Sequence, residues 1–312
     1  MYSAEINRKQ PALLMLLLDH SFSMSESSGQ GQGTKAQVLA LAVNNLLGNA
    51  VLLCSRGGEK IYNYFDVGVV GYGATIGPIL HGASDEQPVL PVKDLADNPR
   101  RVDAVTRRVP DGAGGVVPVQ QQMPIWVDPV ADGATPMVSA LQRAEPTIAA
   151  WCAAHPSSFP PIVINVTDGV STDGDPREAA ARIRGLSTDD GAALVFNLHL
   201  SALSGQAVTF PDSAEAFNDP NAHILFEASS VLPPALLEAA AALGYSVRAG
   251  SRGLLYNADV TMVIDFLDIG TRAVTPTGLK DLISTTDAAG YGSDDDAPDD
   301  DGRRDEGDQP KL

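Results

Sequence analysis

Apolar residues recur along this chain with two periods. Leu13-Leu14-Met15-Leu16-Leu17-Leu18 is a short unbroken run that stops at Asp19, and Ile162-Val163-Ile164-Asn165-Val166 is a second, rich in β-branched residues, that stops at Thr167-Asp168-Gly169. Runs of this length and make-up predict strands buried on both faces. Phe65 to Tyr72, with Val67, Val69 and Val70 as core candidates, and Ala193 to Leu200 read as further strands, and Arg252 to Tyr256 as the last. Between them the spacing turns helical. Val38, Leu39, Ala42, Leu46, Leu47 and Ala50 share one face of a helix over Lys35 to Leu53, and Met137, Leu141, Ala144, Ile148 and Trp151 form a core stripe on another. Asp175-Pro176-Arg177-Glu178 opens a helix to about Leu186, Pro233 to Leu243 is a helix ended by Gly244, and Ala258 to about Thr271 is the last.

Strands alternating with helices predict an α/β fold: a Rossmann-like, doubly wound, mostly parallel sheet covered by helices on both faces. The rhythm breaks from about Ile76 to Val130, where Pro88, Pro91, Pro99, Pro110, Pro118, Pro124 and Pro129 accompany Gly112-Ala113-Gly114-Gly115. This stretch reads as an insertion near the functional rim, with short strands around Val116 to Val119 and Ile125 to Val127. The expected organisation is a lead over residues 1–11, one domain over 12–272 that contains the insertion, and a linker and acidic tail over 273–312.

The chain has 312 residues, 44% apolar and 19% charged, and no run is read as a membrane-spanning helix. Its formal net charge of −18 argues against nucleic acid or an anionic membrane as partner, since a polyphosphate surface needs a basic footprint. From Ser293 to Leu312 nine Asp/Glu stand against three Lys/Arg, the composition of a solvated, disordered tail. Arg100, Arg101, Arg107 and Arg108 form a local basic cluster with Asp97 and Asp103 at hand for pairing. Cys54 and Cys152 lie in apolar helical patterns with no metal-ligand spacing and read as core thiols, which, with no secretory leader evident, points to the cytoplasm.

The chemistry concentrates where strands end. Asp19-His20-Ser21-Phe22-Ser23 brings one carboxylate and two hydroxyls to a single loop, Asp132-Gly133-Ala134-Thr135-Pro136 places a Thr in a turn that opens a helix, and Asp168 ends another strand. In an open parallel sheet ligands gather at the carboxyl ends of strands, so Asp19 and Asp168 belong to one rim. Hard oxygen donors of this kind suit a small divalent cation. His20 reads as a solvent-facing loop residue. Gly29-Gln30-Gly31-Gln32-Gly33-Thr34-Lys35 lacks the Gly-Lys-Ser/Thr of a phosphate loop and reads as a flexible lead into the first helix.

Asp19, Ser21, Ser23, Thr135 and Asp168, in this order and setting, resemble the metal-ion-dependent adhesion site of von Willebrand factor type A domains. Gly133-Ala134-Thr135-Pro136-Met137 and Phe266-Leu267-Asp268-Ile269-Gly270-Thr271-Arg272 look most like intracellular bacterial members of the tellurite-resistance type. The resemblance implies Mg²⁺ (or Mn²⁺) ligated directly by Ser21, Ser23 and Thr135, with Asp19 and Asp168 acting largely through water and an Asp or Glu of a protein partner completing the octahedron. It also implies a non-enzymatic adaptor in a stress-response or signalling system, working with an ATPase or a kinase and phosphatase pair. The rival reading is a metal-dependent phosphohydrolase with Asp19 as nucleophile. Such an enzyme needs an acid/base carboxylate two residues further on, where this chain has Ser21. No Gly-x-Ser-x-Gly elbow supports a serine hydrolase, and His81, His155, His199 and His223 lie in no triad context.

Overall fold

The structure is a computed structural model and describes residues 2–28, 33–55, 60–110, 115–201 and 207–258, together with Met262 and Phe266. In chain order the strands are β1 (Ala12–Asp19), β2 (Phe65–Tyr72), β3 (Ile76–Pro78), β4 (Val89–Pro91), β5 (Arg101–Pro110), β6 (Val116–Ile125), β7 (Ile162–Thr167), β8 (Ser187–Thr188), β9 (Gly191–Ala192), β10 (Leu194–Leu200), β11 (Val208–Thr209) and β12 (Leu254–Ala258). The helices are α1 (Lys35–Ser55), α2 (Val92–Asp97), α3 (Met137–Ala154), α4 (Arg177–Gly185), α5 (Pro220–Ala228) and α6 (Pro234–Ala242).

The main sheet runs β11-β12-β10-β7-β1-β2-β3, with β4 also paired to β2. Its five central strands are parallel, and β3, β4 and β11 are antiparallel additions at its edges. This is the doubly wound, mostly parallel sheet that the alternation predicts. The chain leaves β1 for β2 on one side and returns to β7 on the other, so strand order reverses at β1 and a crevice opens at its carboxyl end.

Every residue of β1 is buried, because helices cover both faces of the sheet. Leu14, Leu16 and Leu18 join α1 (Leu39, Val43, Leu47) and α6 (Leu236) in one core. Leu13, Met15 and Leu17 meet α3 (Leu141, Ile148), α4 (Ile183) and α5 (Leu225) in the other. A two-residue side-chain period thus serves two cores, which is why the run shows no polar alternation. By length and apolarity alone α1 could cross a membrane, against the sequence expectation, yet more than half of that stretch is buried within this fold.

A line of buried polar groups crosses the second core. Tyr72 OH donates to Asn165 Oδ1 at 2.7 Å, Asn165 Nδ2 to Asn197 Oδ1 at 3.0 Å, and Asn197 Nδ2 to Ser229 Oγ at 2.9 Å. These groups tie β2, β7 and β10 to the end of α5, and each is satisfied by its neighbour.

Several boundaries differ from the sequence reading. The insertion contains one antiparallel hairpin of two ten-residue strands, β5 and β6, in place of short strands near 116–119 and 125–127. Its prolines fall on a two-stranded ribbon, where no third strand requires their missing N–H. The hairpin's end is fixed to α1: Asn44 Oδ1 accepts from Trp126 N at 2.8 Å and Val127 N at 3.0 Å, and Asn44 Nδ2 donates to Val127 O at 2.8 Å. Arg100 pairs with Asp128, and Arg101 with both Asp103 and Asp128, so these two arginines of the basic cluster are paired internally, while the side chains of Arg107 and Arg108 lie outside those described. Helix α5 escaped the sequence reading despite Asp219-Pro220, where Asp219 Oδ1 accepts from Asn221 N at 2.9 Å as a cap. Gly112 to Gly114, most of the predicted last helix and the acidic tail lie outside the described residues.

Cys54 belongs to the first core and Cys152 to the second, on opposite sides of the sheet, so they cannot pair with each other. Burial pushes the Cys54 thiol up to about 12 and that of Cys152 up to about 11. At pH 8 both thiols therefore stay protonated. Neither cysteine should react with a disulfide reagent at pH 8 until urea unfolds the chain, which a colorimetric thiol count measures. Asn165→Ala breaks the buried polar line and should lower unfolding stability by ~2 kcal/mol in urea titration.

Candidate metal centre

Asp19 is the last residue of β1 and is 0% exposed. Both of its carboxylate oxygens are engaged: Oδ1 accepts from Ser21 N at 2.8 Å and Oδ2 from Thr167 Oγ1 at 2.7 Å. The first bond folds the chain back on the carboxylate two residues earlier, a turn that Asp forms readily. It leads into a 3₁₀ turn, Phe22–Ser25, which buries Met24 and presents Ser21 and Ser23 together. Their hydroxyl oxygens lie 3.0 Å apart, and Ser23 Oγ donates to Asp168 Oδ1 at 2.7 Å. Asp19, Ser21, Ser23 and Asp168 thus form one continuous hydrogen-bonded line across the crevice between β1 and β7.

Thr135 arrives on a third loop, 5% exposed, with its Oγ1 4.0 Å from the point a Cβ on Gly169 would occupy. It is held beside the post-β7 loop by paired bonds, Thr135 N to Thr172 Oγ1 at 3.1 Å and Thr172 N to Thr135 O at 2.9 Å. Asp173 caps the helix behind it, accepting from Val138 N at 3.0 Å and Ser139 N at 2.8 Å. Burial alone would raise the Asp173 pKa, but bonds from the Ser139 side chain and N–H, the Ser171 hydroxyl and the Val138 N–H together outweigh it and hold the carboxyl below its usual range. Phe22 N donates to Gly133 O at 2.9 Å and Asp132 N to His20 O at 2.6 Å, which knits the Thr135 loop to the serine loop. The structure therefore brings all five predicted residues to one rim.

His20 departs from the sequence reading. Its ring is half-buried against Gly71, where a Cβ would come within 2.5 Å of His20 Cε1, and burial lowers its pKa to about 4. The glycine's missing side chain is what admits the ring. Two further residues belong to the centre and were not assigned to it from sequence. Thr167 fixes Asp19, as above. Lys35, the first residue of α1 and 5% exposed, donates to Asp168 Oδ2 at 2.8 Å and to Glu26 Oε2 at 2.8 Å. A sequence signal for it existed: a lysine opening an otherwise apolar helix, with no acid in the first turn, opposes the helix dipole and so needs a partner elsewhere.

The electrostatics suit a cation. Burial, with the Asp168 charge adding to it, holds the Asp19 carboxyl above its ordinary range despite the bonds from Ser21 and Thr167. Tyr72 is pushed well up by burial and then by the same carboxylates, so it stays neutral. Among the described residues no three His, Cys, Asp or Glu side chains converge. The donor set is instead two carboxylates and three neutral hydroxyls, which fits a hard divalent ion and not a thiolate- or imidazole-bound one.

No family model and no curated protein matches this sequence. Among solved structures the chain is similar to proximal thread matrix protein 1 of the mussel byssus, at 12% identity and TM-score 0.43 over 88% of this chain and 50% of that one. The same protein with a zinc-occupied MIDAS motif is similar at 13% identity and TM-score 0.41, again over 88% and 50%. PilB minor pilin from Streptococcus sanguinis is similar at 10% identity and TM-score 0.41, over 85% of this chain and 62% of that one. The chain thus spans about half the length of the mussel protein. At this distance the likeness says nothing about the centre's chemistry, which rests on the geometry above.

Gly133 has φ +87°, and a Cβ there would lie 2.2 Å from Ala74 N. Gly133→Ala should cost ~2 kcal/mol in urea unfolding, from left-handed backbone strain and that backbone clash. Gly185→Ala, whose Cβ would meet nothing within 4 Å, should change stability little and serves as the control.

Proposed function

We propose that this chain is a non-enzymatic, metal-dependent interaction module, with Mg²⁺ (or Mn²⁺) held by Ser21, Ser23 and Thr135 and backed by Asp19 and Asp168. The observation that carries this reading is the hydrogen-bonded line from Asp19 through Ser21 and Ser23 to Asp168, set at the point where strand order reverses. When bound, the ion supplies an electrophilic position, left short of negative charge by its neutral ligands, for a carboxylate from a partner protein. The chain's own residues do the rest. Asp19 and Thr167 fix the serine loop, Asp168 orients Ser23, and Asp173 and Thr172 set the height of Thr135.

Two large apolar side chains stand exposed beside these residues. Phe22, between the two serines, is 71% exposed, and Val170, two residues past Asp168, is 59% exposed. They offer a partner apolar contact next to the position its Asp or Glu would fill, as an interaction site does.

The phosphohydrolase reading fares worse. Asp19 is 0% exposed and each of its oxygens already accepts a hydrogen bond, so it is not presented to a substrate as a nucleophile must be. Ser21 at the expected acid/base position donates no proton near neutral pH. A cytoplasmic setting, with an ATPase or a kinase and phosphatase pair as partners, remains the expectation drawn from the sequence resemblance.

Titration calorimetry with Mn²⁺ should show a single site that Ser21→Ala and Asp19→Ala abolish while far-UV circular dichroism stays unchanged. A partner captured from lysate should be retained in Mg²⁺ and released by EDTA. Metal uptake indifferent to both substitutions would overturn the reading.

A further inference from the structure

Lys35 is a second cation already built into the centre. Its ammonium is nearly inaccessible to water and lies 2.8 Å from Asp168 Oδ2, while the Asp168 side chain is itself 0% exposed. The placement is enforced from several directions. Lys35 N donates to Glu26 O at 2.9 Å, its side chain returns to Glu26 Oε2, and a bridge between Ser27 and Thr34 closes the intervening loop. Asp168 is divided between two roles, with Oδ1 receiving Ser23 and Oδ2 receiving Lys35. The two functions use different oxygens, so the lysine can stay in place while the serines face an ion.

This arrangement is unusual for a site meant only to bind metal tightly. A cation centre gains affinity from every carboxylate charge it can use, and a resident ammonium on one of its two carboxylates removes half of that charge. A lysine at a helix N-terminus also opposes the helix dipole, so local helix stability gives no reason for it.

We propose that Lys35 is a resident counter-charge that keeps the centre weak for a divalent ion alone, so that full affinity requires an anionic carboxylate from the partner. The proposal rests on the metal-centre reading above and deepens it. Lys35 is shared with Glu26, but the Glu26 side chain is 61% exposed and screened by solvent whereas that of Asp168 is 0% exposed, so inside the centre the ammonium offsets Asp168; Asp19 is then the one uncompensated anion among the five predicted ligands, and a bound divalent ion keeps an excess positive charge. A partner Asp or Glu cancels that excess, which couples metal binding to partner binding. A neutral partner group would not.

The test compares Mn²⁺ binding by calorimetry in the wild-type chain, Lys35→Met, Lys35→Arg and Ser21→Ala. Removing the charge at nearly constant size should tighten Mn²⁺ by about tenfold, a modest share of what a unit charge at this range is worth inside a protein. Lys35→Arg, which keeps the charge, should stay within about threefold of wild type on the same scale. A purely structural lysine predicts the reverse, because releasing Asp168 would loosen the site and leave Lys35→Met equal to or weaker than wild type. That result overturns the proposal. Burying Asp168 without its partner lowers stability, so the rise in unfolding temperature on adding Mn²⁺ is a second readout, and it should be larger in Lys35→Met than in wild type. Wild type and Lys35→Met both behaving like Ser21→Ala, with no Mn²⁺ uptake, would overturn the metal-centre reading itself, whereas uptake by wild type with no gain in Lys35→Met removes the counter-charge alone.

Discussion

Two carboxylates, Asp19 and Asp168, lie buried near one another at the ends of adjacent parallel strands, and the rest of the rim is arranged to make that tolerable. Like charges taken out of water repel and lose solvation together, so each needs donors supplied by the protein. Asp19 takes a backbone N–H from Ser21 and the Thr167 hydroxyl; Asp168 takes the Ser23 hydroxyl and the Lys35 ammonium. These donors come from the serine loop, the last residue of β7 and the first residue of α1, and placing them requires the fold to be correct on both sides of β1. Burial still wins at Asp19, whose carboxyl stays above its ordinary range. That residual tension is the physical opening for a cation.

The scaffold meets this demand by being stiff where the carboxylates sit. β1 is sealed between two cores and registered against both neighbours, with Asp19 paired to Tyr72 of β2 and Leu18 to Val166 of β7. The Tyr72-Asn165-Asn197 line crosses the sheet near the same level, so these groups are hydrogen-bonded to one another and Thr167 is the sheet residue that donates to Asp19. The serine loop and α1 supply the other donors. Gly73 and Gly133 allow the loops to approach closely enough: a Cβ on Gly73 would fall 2.5 Å from Asp132 O, and one on Gly133 would strike Ala74. Close backbone contact here is what converts three separate loops into one rim.

What could be read from the chain followed physical periodicity. Strands buried on both faces announced themselves as unbroken apolar runs, and β2 was placed to the residue from Phe65, Val67, Val69 and Val70. Local chemistry at strand ends was equally legible, since Asp-x-Ser-x-Ser and Thr-Asp-Gly are contiguous in sequence. The parts that escaped depend on contacts far apart in the chain. The β5–β6 hairpin mixes valines with polar residues and bears prolines on both strands, so it shows no sustained alternation, and its order comes from pairing with itself and from Asn44. Helix α5 is short and its apolar residues serve a core already satisfied from three other elements. Lys35 joins Asp168 across 133 positions. His20 is hidden by the absence of a side chain at Gly71, which no pattern at His20 itself could show.

Charge at the scale of the whole molecule sharpens the reading of the rim. A chain of formal charge −18 repels an acidic partner at long range, so electrostatic steering cannot bring a carboxylate to the centre. Salt reduces this repulsion beyond roughly 8–10 Å, and only inside that distance does the local balance of charge decide. Within it, Lys35 cancels one carboxylate and a bound ion would exceed the other, so the sign of the interaction inverts over the width of the crevice. Recognition built this way depends on contact and shape more than on approach. The exposed Phe22 and Val170 then gain their significance, because apolar contact is indifferent to the repulsion that the remainder of the surface exerts. On the proposed reading, selectivity at the rim would come from contact: a partner would need a carboxylate for the ion and an apolar group for Phe22 or Val170 at the same time.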